Sequence, residues 1–309
     1  DRLARFVESR LLQTTCWNPL GCEATLACPP RARQERCSPL SVPPSSSAPS
    51  YMPPSPDAFA PWTRSRLSAL SAQFEAQSPQ TLLQWAAGTF GGDVVQGTGF
   101  GPSGIVIMDM LAEVAPGATV FYLDTDLLFP ETYQLRDDLA ACLDVEIVRV
   151  HCGMTPAEQA AAEGPALWTH APNRCCHLRK VAPLQRYLAD KRAWITGIRR
   201  DQSAARAQTP LLSWAARCQV LKINPLAAWT RKDVWRYLLE HDLPYNPLHD
   251  KGYPSIGCVP CTAAVPETDG YSRRGRWQGS TKSECGLHAD PSSPSSSSVS
   301  EAASEESEA

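Results

Sequence analysis

The amino-acid sequence predicts an α/β protein built on a doubly wound, mostly parallel sheet. Three features of residues 67–223 carry this prediction. Segments typical of strands alternate with segments typical of helices, residues 118–123 (ATVFYL) form an unbroken apolar run, and a glycine-rich turn joins a strand candidate to a helix candidate. An unbroken apolar run is typical of a strand covered on both faces, and the alternation is typical of parallel sheets.

The individual elements follow from local patterns of apolar residues, glycines and prolines. Helices are expected at residues 67–74, 81–87, 104–114, 131–143 and 177–189, and strands at residues 93–96, 118–123, 145–150, 193–198 and 217–223. A late helix has a clear start, because Thr230 and Asp233 form a pair that resembles a capping box. Trp229 and Val234 fit a hydrophobic staple there. This helix is expected to run to about Glu240.

The composition of the 309 residues changes along the chain and predicts its organisation. Residues 38–56 are rich in proline and serine and read as a disordered linker. We expect a disordered or unrelated extension over residues 1–60, an α/β domain over 61–248, a loop region over 249–290 that carries the late cysteine motifs, and a disordered acidic Ser/Glu tail over 291–309.

Charge and hydropathy exclude several classes of function. The net charge of −3 argues against a general nucleic-acid-binding protein, so any basic site must be local. No apolar run approaches the roughly 18–20 residues that cross a bilayer, and the first residues show no secretory pattern. The expectation is a cytoplasmic protein without a membrane partner, and an oligomer is possible.

A glycine-rich turn at residues 97–104 (GTGFGPSG) follows a strand candidate and opens a helix. Backbone N–H groups at such a turn suit phosphate or sulfate oxygens, and glycines let a ligand come close. The turn lacks the Gly-Lys-Ser/Thr ending of a P-loop and does not match G-x-G-x-x-G. An ordinary strand-to-helix turn is the alternative. The candidate contacts are Thr98, Gly99, Phe100, Gly101 and Ser103.

A second turn follows the apolar strand candidate at Leu123, Asp124 and Asp126. Ligands in open α/β sheets bind at the carboxyl ends of the strands, so Leu123 joins the candidate contacts. Asp124 and Asp126 have a simpler interpretation as caps of the next helix, and this interpretation is preferred for Asp126.

Twelve cysteines are many for a cytosolic protein. Cys16, Cys22, Cys28 and Cys37 are spaced too widely for a C-x₂₋₄-C zinc pair and stand in sequence without periodicity. Two pairs stand in patterned sequence instead, and their four thiolates suit zinc or an iron–sulfur cluster. Adjacent cysteines are awkward in a zinc site, so a [4Fe–4S] cluster fits better, while a disulfide or buried thiols are the alternative. The pairs are Cys175 with Cys176 and Cys258 with Cys261.

Cys285 stands apart from these pairs, shortly before the acidic tail. Lys282 and His288 are expected to supply positive charge, which lowers the pKa of a thiol. A thiolate on a flexible segment suits a nucleophile that later meets a protein reductant. The alternative is an unreactive surface cysteine at a fraying end.

Cationic residues flank the cysteine motifs although the net charge is negative. Arginine recognises phosphate and sulfate groups with two parallel hydrogen bonds. The candidates for anion binding are Lys180, Arg199, Arg273 and Arg276, whereas Arg200 and Arg274 are interpreted as ordinary surface charges.

Five motifs in this order resemble those of the bacterial and plant-type adenylyl-sulfate (APS) reductases. They are residues 121–125 (FYLDT), 175–180 (CCHLRK), 194–203 (WITGIRRDQS), 257–261 (GCVPC) and 282–288 (KSECGLH). The resemblance spans residues 67–288 and implies a fold related to the PP-loop pyrophosphatases, also called adenine nucleotide alpha-hydrolase-like. It also implies an oxidoreductase of sulfate assimilation and cysteine biosynthesis.

The resemblance implies a role for each candidate residue. Cys175, Cys176, Cys258 and Cys261 would hold a [4Fe–4S] cluster, with Lys180 between cluster and substrate. Arg273, Arg276 and His288 would bind the phosphosulfate with help from Arg199. Cys285 would attack the sulfur of APS, release AMP and keep an S-sulfocysteine, from which thioredoxin or a glutaredoxin-like reductant would release sulfite.

Two departures from the family pattern stand near the nucleotide. The turn at residues 98–103 differs from the family's Ser-Phe-Gly or Phe-Ser-Gly turn, and Asp126 replaces a frequent glycine. The rival functions are a 3′-phosphoadenylyl-sulfate (PAPS) reductase, an ATP-dependent adenylylating enzyme and a non-catalytic iron–sulfur nucleotide sensor. The resemblance implies that PAPS reductases lack the cysteine pairs. The adenylylating enzymes need an S-G-G-x-D-S turn, which this sequence lacks.

Overall fold

A computed structural model of the chain describes residues 62–265, 273, 275–279, 282 and 284–288. The expectations for residues 1–60 with their four cysteines, for the tail at 291–309 and for Arg274 lie outside the described residues. No helix in the described part of the chain is long and apolar enough to cross a bilayer.

One sheet of six strands organises the described residues. The strands are β1 (Val94–Thr98), β2 (Ala118–Asp124), β3 (Val145–His151), β4 (Ala193–Ile195), β5 (Leu212–Ala215) and β6 (Val220–Ile223). Their order in the sheet is β3-β2-β1-β4-β6-β5. Every neighbouring pair is parallel except β5 and β6, which form an antiparallel edge. The predicted α/β class with a mostly parallel sheet is therefore confirmed.

Helices cover both faces of this sheet. They are α1 (Arg64–Phe74), α2 (Pro79–Phe90), α3 (Pro102–Val114), α4 (Pro130–Cys142), α5 (Pro156–Glu163), α6 (Leu167–His170), α7 (Pro172–Cys176), α8 (Ala182–Leu188) and α9 (Arg231–Glu240). A π-helical turn at His177–Val181 joins α7 to α8. Short 3₁₀ turns, including Val259–Cys261, complete the loop region.

The sequence predicted most of these elements within a few residues, and the differences have local causes. The helix expected at residues 177–189 begins at Pro172 and contains the π-turn. The helices α5 and α6 and the edge strand β5 were missed, because their short segments show no clear apolar period. For α5 a signal was present, since Thr155 and Glu158 form a capping box.

Two apolar clusters pack against opposite faces of the sheet. The larger joins residues of α1, α2, α3, α4 and α9 to the strands, and Leu83, Ile105, Met108 and Leu139 are among its fully buried members. The smaller joins Val95, Phe121 and Trp194 to Leu184 and Leu188 of α8. Leu287, two residues after Cys285, packs against this second cluster.

The capping box of α9 gives a stability prediction. Thr230 Oγ1 accepts a hydrogen bond from the Asp233 N–H over 3.3 Å, and the Asp233 carboxylate accepts one from the Thr230 N–H over 2.9 Å. Thr230→Ala removes the first bond, so we expect the free energy of unfolding to fall by about 1 kcal/mol in urea titrations. Lys232→Ala, at an exposed position of α9, should change it by less than about 0.5 kcal/mol. Equal effects of both variants would contradict this role for the cap.

Candidate functional site

The loops after β1 and β4 meet where the strand order reverses, because β2 and β3 lie on one side of β1 and β4 lies on the other. Arg199, which is 3% exposed, follows β4 and donates to the Ser103 hydroxyl at the start of α3. Its Nε also donates to Asp201 Oδ1 over 3.0 Å. In open α/β sheets ligands bind in the crevice at this point.

The glycine-rich turn is shorter than expected because α3 begins at Pro102. A side chain at Gly99 or Gly101 would meet nothing within 4 Å, so this part of the turn borders open space. The N-terminus of α3, a helix of thirteen residues, lies at this end of the turn. Phe100 differs from its neighbours, since its ring is 2% exposed and packs on Tyr122, and its N–H donates to Thr98 Oγ1 over 3.0 Å. Phe100 therefore shapes the turn from inside, and a side-chain contact to a ligand is not available to it.

The turn after β2 is fixed by ion pairs rather than by a helix cap. Asp124 is 3% exposed and accepts hydrogen bonds from the Tyr133 hydroxyl over 2.7 Å and from Arg149 Nε over 2.6 Å. Burial opposes the charge of Asp124, but these donors and the Asp126 N–H lower its pKa below the ordinary value. The preferred interpretation of Asp126 as a helix cap is wrong, because α4 is capped at Phe129.

The four predicted ligand cysteines line one cavity. Cys175 and Cys176 end α7 and are each 7% exposed. Cys258 is 6% exposed and pairs with Leu128 in a β-bridge, while the Val259 N–H donates to the carbonyl oxygen of Leu127 over 2.7 Å. These bonds attach the loop that contains Cys258 and Cys261 to the segment just after β2. Residues more than eighty positions apart in the sequence thereby form one group.

The chemistry and spacing of these sulfur atoms fit a cluster better than a single ion. The four residues are thiols rather than disulfides. Around one zinc ion, Zn–S bonds of about 2.3 Å would hold the sulfur atoms within about 4 Å of one another. The group of three ligand atoms found within 4.8 Å in the described part of the chain is Asp109, Glu113 and His241, not the cysteines. A cubane offers separate iron corners to its four thiolates, so wider spacing suits it.

Positive charge lies beside the cysteine cavity. Lys180 lines it, and although burial disfavours the ammonium group, the sulfur atoms of Cys258, Cys285 and Cys176 raise the pKa of Lys180. Burial likewise disfavours the Cys258 thiolate, yet Lys180 and a 3.3 Å contact with the Thr125 hydroxyl help to lower the pKa of Cys258. Burial instead raises the pKa of the Cys261 thiol to about 11. Cys258 is therefore the thiol of this pair most readily deprotonated.

The segment around Cys285 packs against the α/β body, which differs from the flexible end expected from sequence. Leu287 contacts the second apolar cluster, and the His288 ring stacks on Trp194 at 5.1 Å. Glu284 pairs with Arg206 over 2.9 Å and with Arg273 over 3.5 Å. Cys285 is half-buried and within electrostatic range of Lys180, Arg276 and Cys176. The late cysteine thus lies beside the cavity of the other four.

His288 does not supply the positive charge that was expected of it. Burial first, and then the neighbouring Lys222, Arg206 and Arg273, lower its pKa well below the ordinary value. Its Nδ1 is buried and has no hydrogen-bond partner among the described residues. A neutral imidazole at this position offers one ring nitrogen as an acceptor and the other as a donor.

Arg276 is held against the cysteine loop. It is 9% exposed, its Nε donates to the carbonyl oxygen of Cys261 over 3.2 Å, and its guanidinium lies 4.6 Å from the Trp277 ring centroid. A Cβ atom on Gly257 would lie 2.1 Å from Arg276 Nη2, so only glycine allows this approach. Arg200, which was interpreted as an ordinary surface charge, pairs with Glu75.

Known proteins resemble this chain over most of its length. The family model for the phosphoadenosine phosphosulfate reductase domain matches residues 93–264. An adenosine 5′-phosphosulfate reductase of Salinibacter ruber is 63% identical over 237 residues, which cover 77% of this chain and 94% of the relative. The chain belongs to the phosphoadenosine phosphosulfate reductase family. It is therefore an enzyme, an oxidoreductase that reduces an activated sulfate nucleotide.

Relatives named for APS and relatives named for PAPS both resemble the chain. A phosphoadenosine 5′-phosphosulfate reductase of Gloeobacter violaceus is 46% identical and covers 72% of this chain and 93% of its own length. The crystal structure of a PAPS reductase from Candida auris, in a phosphate complex, is 32% identical with a TM-score of 0.58. It matches 66% of this chain and 99% of that chain. Similarity alone therefore leaves the choice between APS and PAPS open.

Several residues of this reductase site were missed in the sequence. Thr125 contacts Cys258, Arg206 pairs with Glu284, and Arg179 lies between Asp126 and Gln159. Thr125 and Arg179 stand inside motifs that were recognised, so their position next to other site residues was a usable signal. Arg206 and Gln159 stand in segments without a motif, and only the fold brings them to the site.

Proposed function

We propose that the chain is an APS reductase that uses Cys285 as its nucleophile, carries a [4Fe–4S] cluster and takes electrons from thioredoxin. The observation that supports this function is the cavity lined by two cysteine pairs and Lys180, with Cys285 in electrostatic range. The family branch that reduces PAPS is expected to lack these pairs, so their joint position favours APS. The cluster would be held by Cys175, Cys176, Cys258 and Cys261.

The nucleotide would bind where the loops after β1 and β4 meet. The N-terminus of α3 and the open space at Gly99 and Gly101 suit a phosphate, with Thr98 and Ser103 as hydroxyl contacts. Leu123, half-buried at the end of β2, is an apolar contact. Arg199 is buried against Ser103 and steadies this end of the substrate.

The phosphosulfate would lie towards Lys180, Arg273, Arg276 and His288. Three cations offset the repulsion between a thiolate and the anionic sulfate oxygens, which is the main electrostatic obstacle to the reaction. Neutral His288 contributes a ring N–H or a lone pair rather than charge. Glu284 occupies Arg206 and Arg273 in this structure, and an incoming substrate anion would compete with its carboxylate for Arg273.

The reaction follows from this placement. The Cys285 thiolate attacks the sulfur atom of APS, a bond between the two sulfur atoms forms, and the bond from sulfur to the phosphate oxygen breaks. AMP leaves with that electron pair, and an S-sulfocysteine remains on Cys285. A thioredoxin thiolate then attacks Cys285 Sγ and displaces sulfite. The second thioredoxin thiol resolves the mixed disulfide, so the dithiol supplies both electrons and Cys285 is regenerated. A glutaredoxin-like dithiol would serve in the same way.

The choice of nucleotide gives a direct test. With reduced thioredoxin and purified holoenzyme, we expect kcat/KM for sulfite release from APS to exceed that from PAPS by about 10-fold or more, since an extra 3′-phosphate would require cations of its own. Heat-treated enzyme is the control for chemical decay of the nucleotides. A higher kcat/KM with PAPS would establish the second candidate, PAPS reductase, which the names of two similar proteins favour.

A further inference from the structure

A tryptophan in the middle of the sheet contacts the imidazole of His288. Trp194 is the second residue of β4, which lies between β1 and β6, and its side chain is 4% exposed. The His288 ring stacks on it with 5.1 Å between the ring centroids and an angle of 17° between the ring planes. Stacked aromatic rings at this distance attract each other. A residue of the loop region is thereby attached to the rigid part of the fold.

The indole ring of Trp194 is itself held by strands on both sides of β4. On the side of β1, a Cβ atom on Gly97 would lie 2.5 Å from Trp194 Nε1 and 2.9 Å from Phe121 Cζ, so only glycine leaves room for the indole. On the side of β6, Lys222 pairs with Trp194 in register, and its Nζ lies 5.6 Å from the centroid of the indole ring. The sheet therefore sets the position of the ring.

The indole contributes its face and not its N–H group. A buried tryptophan N–H usually has a hydrogen-bond acceptor, but Trp194 Nε1 has none in the described part of the chain. An unpaired buried donor is unfavourable, so packing alone would favour an apolar side chain without one. The feature that only an aromatic residue supplies here is a flat surface, and the His288 ring lies on it.

His288 needs such a surface because its ring is otherwise poorly fixed. The last side-chain torsion of histidine has a broad energy minimum, so the plane of a free imidazole is not defined. A ring N–H donates only in that plane, which makes its hydrogen bond to a substrate oxygen directional. Leu287 packs on the second apolar cluster and fixes the backbone beside His288, but it does not fix the ring.

We infer that Trp194 is a positioning residue for His288: the face of its indole sets the plane of the imidazole and so directs the ring towards an oxygen of the bound phosphosulfate. Trp194 acts through His288, without a substrate contact of its own. This inference rests on the proposed function, in which His288 binds the phosphosulfate and Cys285 attacks it.

A single turnover without thiols measures the step in question. Holoenzyme is mixed with saturating APS, and the rate at which Cys285 gains one SO₃ group is followed by intact mass. Trp194→Leu removes the aromatic face, so this rate should fall by about 10-fold or more, as small displacements of a positioned group do. Trp194→Phe keeps an aromatic face and loses only the unpaired N–H, so its rate should stay within about threefold of the wild type.

His288→Ala distinguishes positioning from a role in the fold alone. If Trp194 acts through His288, it has nothing to position in this variant. Trp194→Leu should then slow the His288→Ala protein by less than about twofold, although it slows the wild type far more. Two independent roles would instead give losses that multiply in the double variant.

Trp85→Leu is the matched control. Trp85 is 8% exposed and packs against Phe74 and Phe90 in the larger apolar cluster, on the opposite face of the sheet. It loses a buried indole of the same size, so its melting temperature should fall while its rate of adduct formation stays that of the wild type. If Trp194→Leu does not fold, Trp194→Met takes its place with the same expected rates, since methionine adapts to irregular space.

The outcomes separate this inference from the proposed function. A wild-type rate in folded Trp194→Leu, multiplied losses in the double variant, or equal losses in Trp194→Phe and Trp194→Leu would each overturn the role of Trp194. All three leave the mechanism at Cys285 intact, because the wild type still forms the adduct. A wild type that gains no SO₃ group would overturn both. Retention of the rate in Trp194→Phe together with losses that do not multiply would support the inference.

Discussion

Cys285→Ser is expected to abolish sulfite release and the covalent intermediate together. Incubation of wild-type protein with APS in the absence of thiols should add the mass of one SO₃ group, whereas Cys285→Ser should gain none. A serine hydroxyl is a far weaker nucleophile than a thiolate at neutral pH, so turnover should fall by a factor on the order of 10⁴ or more. Intact-mass spectrometry and a sulfite assay measure the two effects.

Cys218→Ser is the control for this experiment. Cys218 packs beside the second apolar cluster and takes no part in the cavity that the other cysteines line. It should form the adduct and turn over as the wild type does. An adduct of equal yield on Cys285→Ser would move the nucleophile to another cysteine and sink the proposed mechanism.

Cys258→Ser should remove the metal centre rather than the nucleophile. The wild type is expected to be brown, with about four iron atoms and four sulfide ions per chain, since a cubane of this kind is held by four cysteine thiolates. Cys258 is 6% exposed, contacts Thr125 and lies in electrostatic range of Lys180, so its loss removes the most deprotonated ligand of its pair. Visible absorbance and iron content should fall to a small fraction of the wild-type values.

Two comparisons make this test specific. Cys261→Ser should lose iron in the same way, although its thiol has a raised pKa, because a cluster with three thiolates lacks a ligand at one corner. Cys218→Ser should keep the full iron content. Stoichiometric zinc with no iron in anaerobically purified wild type would show that the four cysteines hold a different metal.

The protein also shows which parts of a site can be located without coordinates. The cysteine pairs that begin at Cys175 and Cys258 stand in recognisable motifs, and so does the separate Cys285. Residues that bind one ligand or take part in one reaction often lie together in short segments. The residues that contact and charge-balance these motifs are harder to recognise in the sequence. Gln159 contacts Cys175 from a helix that has no apolar period, and Arg206 pairs with Glu284 from a short 3₁₀ turn.

Errors in the sequence predictions came from interactions between distant segments. Asp126 was interpreted as a helix cap, but α4 is capped at Phe129, and Asp126 instead pairs with Arg149 and Arg179. His288 was interpreted as a cation, but burial first, and then three neighbouring cations, lower the pKa of its imidazole well below the ordinary value. Neither result follows from neighbours in the sequence.

The sequence by itself determined the α/β class, the positions of most strands and helices along the chain and the types of reactive residue. These depend on local hydrophobic period and on side-chain chemistry, which each segment carries alone. Only the tertiary structure decided that residues 175–176 and 258–261 line one cavity and that the pKa of His288 lies below its ordinary value. Burial and the distances between charges set those properties, and both arise only when remote segments pack together.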